Sequence, residues 1–273
     1  MISGLTYLLS LYICDMSTVI LKKDNGVGWI TLNRPEKYNS FNRDMALGLQ
    51  EYLDDCERDE EIRAVYITGG GKGFCAGQDL SEAVDPQGPE LEKIVREHYN
   101  PIIRRLRTIE KPIIAAVNGV AAGAGANIAL ACDIVLASKS ATFIQAFSKI
   151  ALIPDSAGTF FLPRLVGMQR ALALTMLGDK VTADEAVAMG MIYKSFPDES
   201  FEEETKKIAI TLAQMPTKGL GLTKRLMNHS YDNTLEEQLD MEKDLQVEAG
   251  ASEDFKEGVT AFLEKRKPIF KGK

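Results

Sequence analysis

The first part of the chain carries two patterns of apolar residues, one with the period of a strand and one with the period of a helix. Apolar and polar residues alternate on both sides of a turn sequence at 24–26, which predicts a β-hairpin. Between residues 45 and 53 the apolar positions recur at helical spacing behind Asn42. We therefore expect a helix with Asn42 as its N-cap, ending at about Cys56. The apolar run at 64–70 predicts a buried strand that stops at three glycines.

The rest of the chain alternates between apolar runs and helical patterns before it becomes helical throughout. Further strands are predicted at 112–119, 133–138, 141–147 and 191–196, and further helices at 90–109, 124–132, 159–167, 170–178 and 183–190. Pro101 predicts a kink or a break near residue 100, and residues 71–80 are predicted to form a loop. From about residue 200 only helical spacing remains. This order indicates an α/β core at 16–200 and a helical C-terminal region at 201–273.

The sequence NGVAAGAGANIALACD at 118–133 joins a predicted strand to a predicted helix of small residues. Unpaired backbone N–H groups at such a helix start can bind an anion, or a carbonyl oxygen that is gaining negative charge. Tight packing of helix against strand, without chemistry, explains the glycines equally well. Ile128 stands where a dinucleotide-binding fingerprint needs glycine, and the glycines at 69–73 lack the Ser or Thr of a P-loop.

Composition limits the possible partners and cofactors. The 273 residues carry a net charge of −7 with no basic stretch, which argues against nucleic-acid binding. Two histidines, His98 and His229, are too few for a histidine-based metal site, so we expect no metal. The four cysteines show no CxxC spacing, which is typical of reduced thiols in a cytoplasmic protein.

Residues 1–15 are apolar but short. They lack the basic start and the cleavage pattern of a signal peptide, and they are too few to span a membrane, so no membrane attachment is expected. Met16 begins a more ordinary N-terminal sequence. We interpret residues 1–15 as an extension that arises from a mis-assigned start, with a genuine extra segment as the alternative.

Four segments in order carry a resemblance to a known family: FCAGQDL (74–80), NGVAAGAGANIALACDI (118–134), SKIALIPDSAGTFFLPRLVG (148–167) and AFLEKRKPIF (261–270). Together they resemble the crotonase, or enoyl-CoA hydratase/isomerase, superfamily, and the resemblance covers residues 16–273. It implies a crotonase-like spiral of ββα units whose C-terminal helical region forms homotrimers, or hexamers as dimers of trimers. It also implies an acyl-CoA thioester substrate, with coenzyme A as part of that substrate and no further cofactor.

The resemblance implies a site as well. It places the thioester carbonyl oxygen between the backbone N–H groups of Gln78 and Ala124, where two donors stabilise an enolate more than the neutral substrate. Substrate contacts are implied at Lys37, Ala76, Gly77, Asp79, Leu80, Gly123, Asn127, Phe262 and Lys265. Of these, Lys37 is implied to contact the CoA phosphates, and Phe262 and Lys265 the adenine. The spacing around Phe262 is equally typical of an amphipathic helix with a basic tail, and Asp79 is expected to fix the loop of Gln78.

The reaction depends on three positions. Hydratases of the superfamily carry two glutamates at positions that the resemblance matches to Asn127 and Phe147 of this chain. Neither of these side chains can act as an acid or a base. Asp155 remains as the one carboxylate in a fitting motif, and one carboxylate can remove a proton from one carbon and return it to another. The motifs around Asp155 are most similar to those of ring-1,2-epoxyphenylacetyl-CoA isomerases. We therefore expect an acyl-CoA isomerase that converts this epoxide to an oxepin and also shifts cis-3 to trans-2 enoyl double bonds.

Several alternatives stay open at this point. The protein could be a hydratase with acid–base groups elsewhere, a hydrolase or dehalogenase with Asp155 as nucleophile, or a non-catalytic acyl-CoA-binding subunit. Asp155 could also be a simple N-cap of a helix starting near 156, which would lower its pKa. Asn127 could contact substrate or fill a polar slot in the core. His98 is expected at the surface or its boundary, His229 in solvent, and Cys75 and Cys132 as buried fillers.

Overall fold

Ten strands form two sheets in the computed structural model, which describes residues 17–273. The strands are β1 Val19–Asp24, β2 Val27–Leu32, β3 Ala64–Gly69, β4 Gly73–Cys75, β5 Ile113–Val117, β6 Val120–Ala122, β7 Ile134–Ser138, β8 Thr142–Ile144, β9 Lys180–Thr182 and β10 Lys194–Phe196. The extension expected at 1–15 lies outside the described residues. The predicted hairpin is confirmed, because β1 and β2 pair antiparallel across the turn at 25–26.

The two sheets take alternate strands from the chain. The larger sheet has the order β1-β2-β3-β5-β7-β10, and the smaller one has the order β4-β6-β8-β9. The successive pairs β3 and β4, β5 and β6, and β7 and β8 each send their first strand to the large sheet and their second to the small sheet. Neighbouring strands pair in parallel in both sheets, except for the antiparallel pairs β1–β2 and β8–β9. This is the spiral of ββα units that the resemblance implied.

Helices cover the sheets and then make up the C-terminal region. They are α1 Arg43–Arg58, α2 Leu80–Ala83, α3 Leu91–Lys93, α4 Asn100–Thr108, α5 Ala124–Ala131, α6 Gly158–Val166, α7 Met168–Leu177, α8 Ala183–Ala188, α9 Asp198–Ala213, α10 Thr217–His229, α11 Leu235–Gly250 and α12 Glu253–Leu263. Two predicted starts are confirmed by their caps. The Asn42 side chain accepts from the Met45 N–H at 3.0 Å, and Thr182 forms a reciprocal capping box with Glu185.

Two short strands correct the sequence prediction. Residues 71–80 were expected to form a loop and 120–123 a turn, but β4 and β6 lie there and pair in parallel with each other. Strands of three residues are too short to show an alternation, so their sequence looks like loop. They matter for the site, because β4 runs into Gln78 and β6 runs into Ala124.

The α-helix is interrupted before residue 100 by a turn of π-helix, Ile94–Tyr99, which lies between α3 and α4, so the predicted break is confirmed. Pro101 has no N–H, so the carbonyl of Glu97 lacks its helical donor. The Gln50 side chain donates to that carbonyl at 2.8 Å, while the Asn100 N–H reaches back five residues to Val95. The wider π-turn thus lies directly before the residue that lacks an N–H.

The large sheet has a core on each face. One face packs against α1, α4 and α5. The core between them includes Ile30, Leu49 and Ile67, which are all fully buried. The other face packs against α9 through Tyr66, Leu136 and Phe201. The site described next lies on the first face, where the small sheet and α5 meet.

Candidate active site

The loop of Gln78 is fixed by an isolated parallel bridge to Phe41. The Phe41 N–H donates to the Gly77 carbonyl at 2.7 Å, and the Asp79 N–H donates to the Phe41 carbonyl at 2.8 Å. In a parallel bridge of this kind, the N–H of the middle residue, Gln78, points away from Phe41. Within residues 17–273 the Gln78 N–H meets no acceptor.

Ala124 is the first residue of α5, which follows β6 directly. Its neighbour Gly123 has φ +53° and ψ −127°, a conformation that glycine adopts without strain, and its N–H donates to the Ile144 carbonyl at 2.9 Å. Ala124 is the first residue of the helix, so no helical carbonyl precedes it to accept from its N–H. No acceptor for it is found in the part of the chain that the structure describes. All eight residues of α5 are buried, so this helix end sits in the protein interior.

Missing Cβ atoms let the two segments come together. A Cβ on Gly77, which has φ +90°, would lie 2.9 Å from the Ala122 carbonyl oxygen and 3.4 Å from the Ala124 nitrogen. A Cβ on Gly125 would lie 2.4 Å from the Cys75 carbonyl oxygen. The backbone of the Gln78 loop therefore lies directly against the start of α5.

Asp155 lies in the turn before α6. Burial raises the pKa of its carboxyl to about 6, and a hydrogen bond from the Ser156 hydroxyl at 2.9 Å opposes that rise. The alternative that Asp155 is an N-cap with a lowered pKa is wrong. Ala157 is the N-cap of α6, and Asp155 contributes its carbonyl, which accepts from the Gly158 N–H at 2.9 Å.

Asn127 ties α5 to the turn that carries Asp155. Its side chain is fully buried, donates to the Asp155 carbonyl at 2.9 Å and accepts from Gln145 Nε2 at 2.8 Å. The hydrogen bonds therefore favour the polar slot over the substrate contact expected for Asn127. Gly158 makes the approach possible, since a Cβ there would lie 2.2 Å from Asn127 Nδ2.

Phe147 lies next to the glycine turn. It belongs to a 3-10 helix, Ala146–Ile150, and is 6% exposed. A Cβ on Gly123 would lie 3.8 Å from its ring. An apolar ring thus borders the start of α5, at the place where a hydratase would need a carboxylate.

Tyr99 was not singled out from the sequence, because no motif surrounds it. It is the last residue of the π-helix and is 1% exposed. Its hydroxyl donates to Gln78 Oε1 at 2.6 Å. Burial raises its pKa well above the usual value, and the charge of Asp155 raises it further, so the two side chains share one interior region.

His98 corrects another expectation. It was expected at or near the surface, but the π-helix turns it inward, and it is fully buried. Its Nε2 lies 3.2 Å from an Arg43 nitrogen, while Nδ1 has no hydrogen-bond partner among residues 17–273. Burial lowers the pKa of His98, so the ring is neutral near pH 7. His229 is exposed, as expected.

The other residues implied near Gln78 border its loop. Asp79 pairs with Arg34 at 2.8 Å and accepts from the Ser81 N–H, which caps α2 and fixes the loop. Leu80 and Ala76 are exposed beside it. Lys37 is exposed in a 3-10 helix, and the carbonyl of its neighbour Tyr38 accepts from the Ala76 N–H at 2.9 Å.

Phe262 and Lys265 lie at the end of α12, on another part of the protomer. Phe262 is 83% exposed, and Lys265 has φ +55° just after the helix. Phe262 borders an apolar groove of about 440 Å³ with Phe255, Val259, Leu263 and Phe270. Nothing within the described protomer brings these residues to Gln78 or Asp155.

The described cysteines are free thiols in the protein interior. Cys56, Cys75 and Cys132 are free and buried, and burial raises the pKa of Cys75 to about 12. Cys75 and Cys132 are thus the buried fillers that the sequence predicted. Residues 17–273 contain no group of three or more His, Cys, Asp or Glu side chains that could bind a metal ion. None of their helices is both long enough and apolar enough to cross a membrane.

Comparisons with known proteins agree with this architecture. Residues 22–273 match the family model described as enoyl-CoA hydratase/isomerase. The chain is 50% identical to 1,2-epoxyphenylacetyl-CoA isomerase of Escherichia coli, over 94% of this chain and all of that protein. It is 43% identical to a probable enoyl-CoA hydratase of Rhodobacter capsulatus, over 94% of this chain and 98% of that one. A crystal structure of a putative enoyl-CoA hydratase/isomerase from Mycobacterium abscessus superimposes with a TM-score of 0.89 at 38% identity, covering 93% of this chain and all of that one.

Proposed function

This chain belongs to the enoyl-CoA hydratase/isomerase family, and from that premise we propose that it is an acyl-CoA isomerase with Asp155 as its single acid–base group. The observation that carries the proposal is the half-buried Asp155 carboxyl, whose pKa burial raises to about 6. A group with this pKa binds and releases a proton readily near neutral pH. Asn127 anchors its backbone to the helix that begins at Ala124.

The thioester carbonyl would bind between the N–H groups of Gln78 and Ala124. Both amides lack an acceptor among residues 17–273, and Gly77 brings their backbones together. The start of α5 adds the positive end of a helix dipole. Because the donors are fixed before substrate binds, they stabilise the enolate more than the ground state, and each is typically worth roughly 10²–10³ in rate.

Proton transfer would then proceed through one carboxyl. Asp155 removes a proton from C2, and the electrons of that C–H bond pass into the thioester as an enolate. In an enoyl substrate the protonated Asp155 returns the proton to C4, so the double bond moves from C3 to C2. In the epoxide substrate the enolate electrons form a double bond between C2 and the ring carbon next to it, and the C–C bond shared by the epoxide and the six-membered ring breaks. Both C–O bonds remain, which gives the seven-membered oxepin, and the protonated Asp155 returns its proton to a ring carbon. Both products are isomers of their substrates.

Hydration is the less supported alternative. It needs one group to activate water and another to deliver a proton, whereas the two matching positions hold a fully buried amide, Asn127, and an apolar ring, Phe147. Phe147 borders Gly123 and offers no group that could activate water there. The 43% identity to a probable enoyl-CoA hydratase keeps hydration as the second candidate.

The finer substrate is proposed on similarity. The 50% identity to 1,2-epoxyphenylacetyl-CoA isomerase spans 94% of the chain and supports the epoxide as the natural substrate. The acyl group would lie beside α2 and the exposed Leu80. The CoA phosphates would contact Lys37, which stands beside the same loop in the structure.

The test uses three acyl-CoA substrates and one variant. We would assay ring-1,2-epoxyphenylacetyl-CoA generated in place, cis-3-hexenoyl-CoA and, as the hydration control, crotonyl-CoA. The prediction is turnover of the epoxide, or of both isomerisation substrates, without hydration. Asp155→Asn should lower isomerisation by roughly 10²–10⁴ while thioester binding is kept.

Each other outcome would point to a named alternative. Hydration of crotonyl-CoA at a rate comparable with isomerisation would establish the hydratase reading and place the acid–base groups elsewhere. Full activity of Asp155→Asn would remove Asp155 from the reaction. Binding of acyl-CoA without turnover of any of the three substrates would support a non-catalytic binding subunit.

A further inference from the structure

Tyr99 is a buried hydroxyl that the proposed reaction does not use directly. It ends the π-helix at Ile94–Tyr99 and is 1% exposed. Its hydroxyl donates to the side chain of Gln78 at 2.6 Å, a short and well-formed hydrogen bond. A buried tyrosine is costly unless its hydroxyl is bonded, so this contact determines where the Gln78 side chain can lie.

The Gln78 side chain is held at both of its ends. Its Oε1 accepts from Tyr99, and its Nε2 donates to Glu82 Oε2 at 2.9 Å. The other oxygen of Glu82 accepts from the Arg43 N–H at 2.9 Å, at the first turn of α1. A continuous chain of hydrogen bonds thus joins the π-helix, the Gln78 loop and the start of α1.

Tyr99 also contacts the residue that sets the backbone of Gln78. Its ring packs edge-on against Phe41, with ring centroids 5.9 Å apart. The N–H and carbonyl of Phe41 bond to Gly77 and Asp79, which leaves the intervening Gln78 N–H without an acceptor in the described protomer. One tyrosine therefore supports Gln78 through its side chain and, by way of Phe41, through its backbone.

We propose that Tyr99 is a positioning residue that aims the Gln78 N–H at the thioester carbonyl. This inference rests on the proposed function, because it assumes that the Gln78 amide is an oxyanion donor. Tyr99 acts through Gln78 and Phe41 and needs no contact with the reacting atoms. The Ile94–Tyr99 turn, which precedes Pro101, then contributes to the site, since it ends at the buried Tyr99.

The test removes the hydroxyl and keeps the ring. Tyr99→Phe retains the contact with Phe41 and deletes only the hydrogen bond to Gln78. A loosened donor should lose part of the roughly 10²–10³ that such a donor contributes, so we expect kcat to fall ~10-fold with KM nearly unchanged. Tyr66→Phe is the matched control. It deletes another buried hydroxyl, bonded to Thr205 at 2.9 Å on the opposite face of the large sheet.

A spectroscopic measurement reports on the donor directly. Butyryl-CoA labelled with ¹³C at the thioester carbonyl would be bound to each protein, and the carbonyl stretch would be read by infrared difference spectroscopy. A well-aimed donor polarises the carbonyl and lowers its frequency. We expect a lowered frequency in the parent and in Tyr66→Phe, and a frequency closer to that of free ligand in Tyr99→Phe.

A double-mutant cycle tests the route of the effect. Gln78→Met keeps the backbone N–H and removes the acceptor of the Tyr99 hydroxyl. If Tyr99 acts through Gln78, the double variant should be no slower than the slower single variant. The single variant Gln78→Met also replaces Tyr99→Phe if that protein proves unstable. It breaks the same hydrogen bond by removing the acceptor, so it should reproduce the loss in kcat.

The outcomes separate this inference from the proposed reaction. Unchanged kcat and carbonyl frequency in Tyr99→Phe, or multiplicative losses in the double variant, would overturn the role of Tyr99. A parent protein that lowers the carbonyl frequency but isomerises no tested substrate would refute the proposed reaction, and the spectra would still decide the role of Tyr99. A parent that leaves the frequency unchanged would overturn the oxyanion site and Tyr99 with it.

Discussion

At the residue scale, Asp155 combines two properties that oppose each other. Burial raises the pKa of its carboxyl to about 6, which makes it a stronger base than an exposed aspartate. The same burial disfavours the ionised form that must accept the proton. The chain tolerates this cost at one turn, where Asn127 and Ser156 hold the backbone and the carboxyl in place.

The pH dependence of activity follows from that pKa. Asp155 acts as a base only when ionised, so kcat/KM for isomerisation should rise with pH through about 6 and become constant above about pH 7. At pH 5 the rate should be about one tenth of the plateau. Initial rates with cis-3-hexenoyl-CoA between pH 4.5 and 8.5 measure this. A rate that is constant down to pH 4.5 would mean that Asp155 titrates like an exposed aspartate or is not the base.

Stability should depend on the same group with the opposite preference. The folded pKa of Asp155, about 6, lies above the pKa of 3.8 that is usual for an aspartate, so the folded state binds the proton more tightly. The resulting stability is fully present below about pH 4 and is lost as pH rises through about 6. Asp155→Asn stays neutral, so its free energy of unfolding relative to the parent should increase by about 2 kcal/mol between pH 4 and pH 7.

Urea unfolding of both proteins at several pH values tests this. Asp54→Asn is a control of opposite sign, because the hydrogen bond from Arg105 lowers the pKa of Asp54 in the folded state. Its loss should destabilise the protein more at pH 7 than at pH 4. A constant difference between Asp155→Asn and the parent across this range would refute the raised pKa.

The sequence identified some residues of the site and missed others for physical reasons. Asp155, Gln78 and Ala124 stand in motifs, so they could be proposed from the chain alone, and their roles stay predictions. The burial of His98 and the contact of Tyr99 with Gln78 depend on a π-turn, which shifts the inward face by one residue. Helical periodicity cannot predict such a shift, since it assumes 3.6 residues per turn.

At the element scale, the glycines act where two elements meet. Gly158 begins α6, and a Cβ there would lie 2.2 Å from Asn127 Nδ2. Gly158→Ala should push Asn127 away from the Asp155 carbonyl, destabilise the protein by about 1–3 kcal/mol and lower kcat. Gly250→Ala, at the end of α11 with nothing within 4 Å of a Cβ, should instead stabilise it by up to about 1 kcal/mol.

Denaturant unfolding and isomerase assays of the two variants distinguish the collision from the general effect of replacing a helical glycine. Equal stability and activity of both variants would show that Asn127 can move without consequence. The comparison also tests whether the Asn127–Asp155 contact belongs to the site rather than only to the core.

Long elements were predictable because burial imposes a period on them. The helix behind Asn42 and the strand at 64–70 appear as α1 and β3 with nearly the expected bounds. The strands β4 and β6 were missed because each has three residues and is held by parallel pairing within the small sheet. These two missed strands deliver Gln78 and Ala124 to one place, so the geometry of the site depends on elements that local sequence could not show.

At the scale of the whole molecule, the division into an α/β core and a helical C-terminal region is readable from the order of patterns. The sequence does not show what covers the apolar faces of the C-terminal helices. An amphipathic helix has the same pattern of residues whether its apolar face packs against its own chain or against another chain. In the protomer, the chain end is secured by Asp254, which accepts from the Lys271 and Gly272 N–H groups. Phe262, Leu263 and Ile269 remain 83%, 74% and 76% exposed.

We propose that a second and a third copy cover this apolar surface, so that the protein is a trimer or a dimer of trimers. Fully burying a phenylalanine side chain is worth about 1.5–3 kcal/mol, so Phe262 alone would contribute substantially to each contact. Phe262→Asp would place a charge in that contact and should dissociate the assembly, whereas Phe262→Leu keeps an apolar side chain and should leave it intact. Analytical ultracentrifugation at micromolar concentration should give three or six times the 30.0 kDa chain for the parent and Phe262→Leu, and a single chain for Phe262→Asp. A monomeric parent, or an assembled Phe262→Asp, would show that the C-terminal helices do not join the subunits through this face.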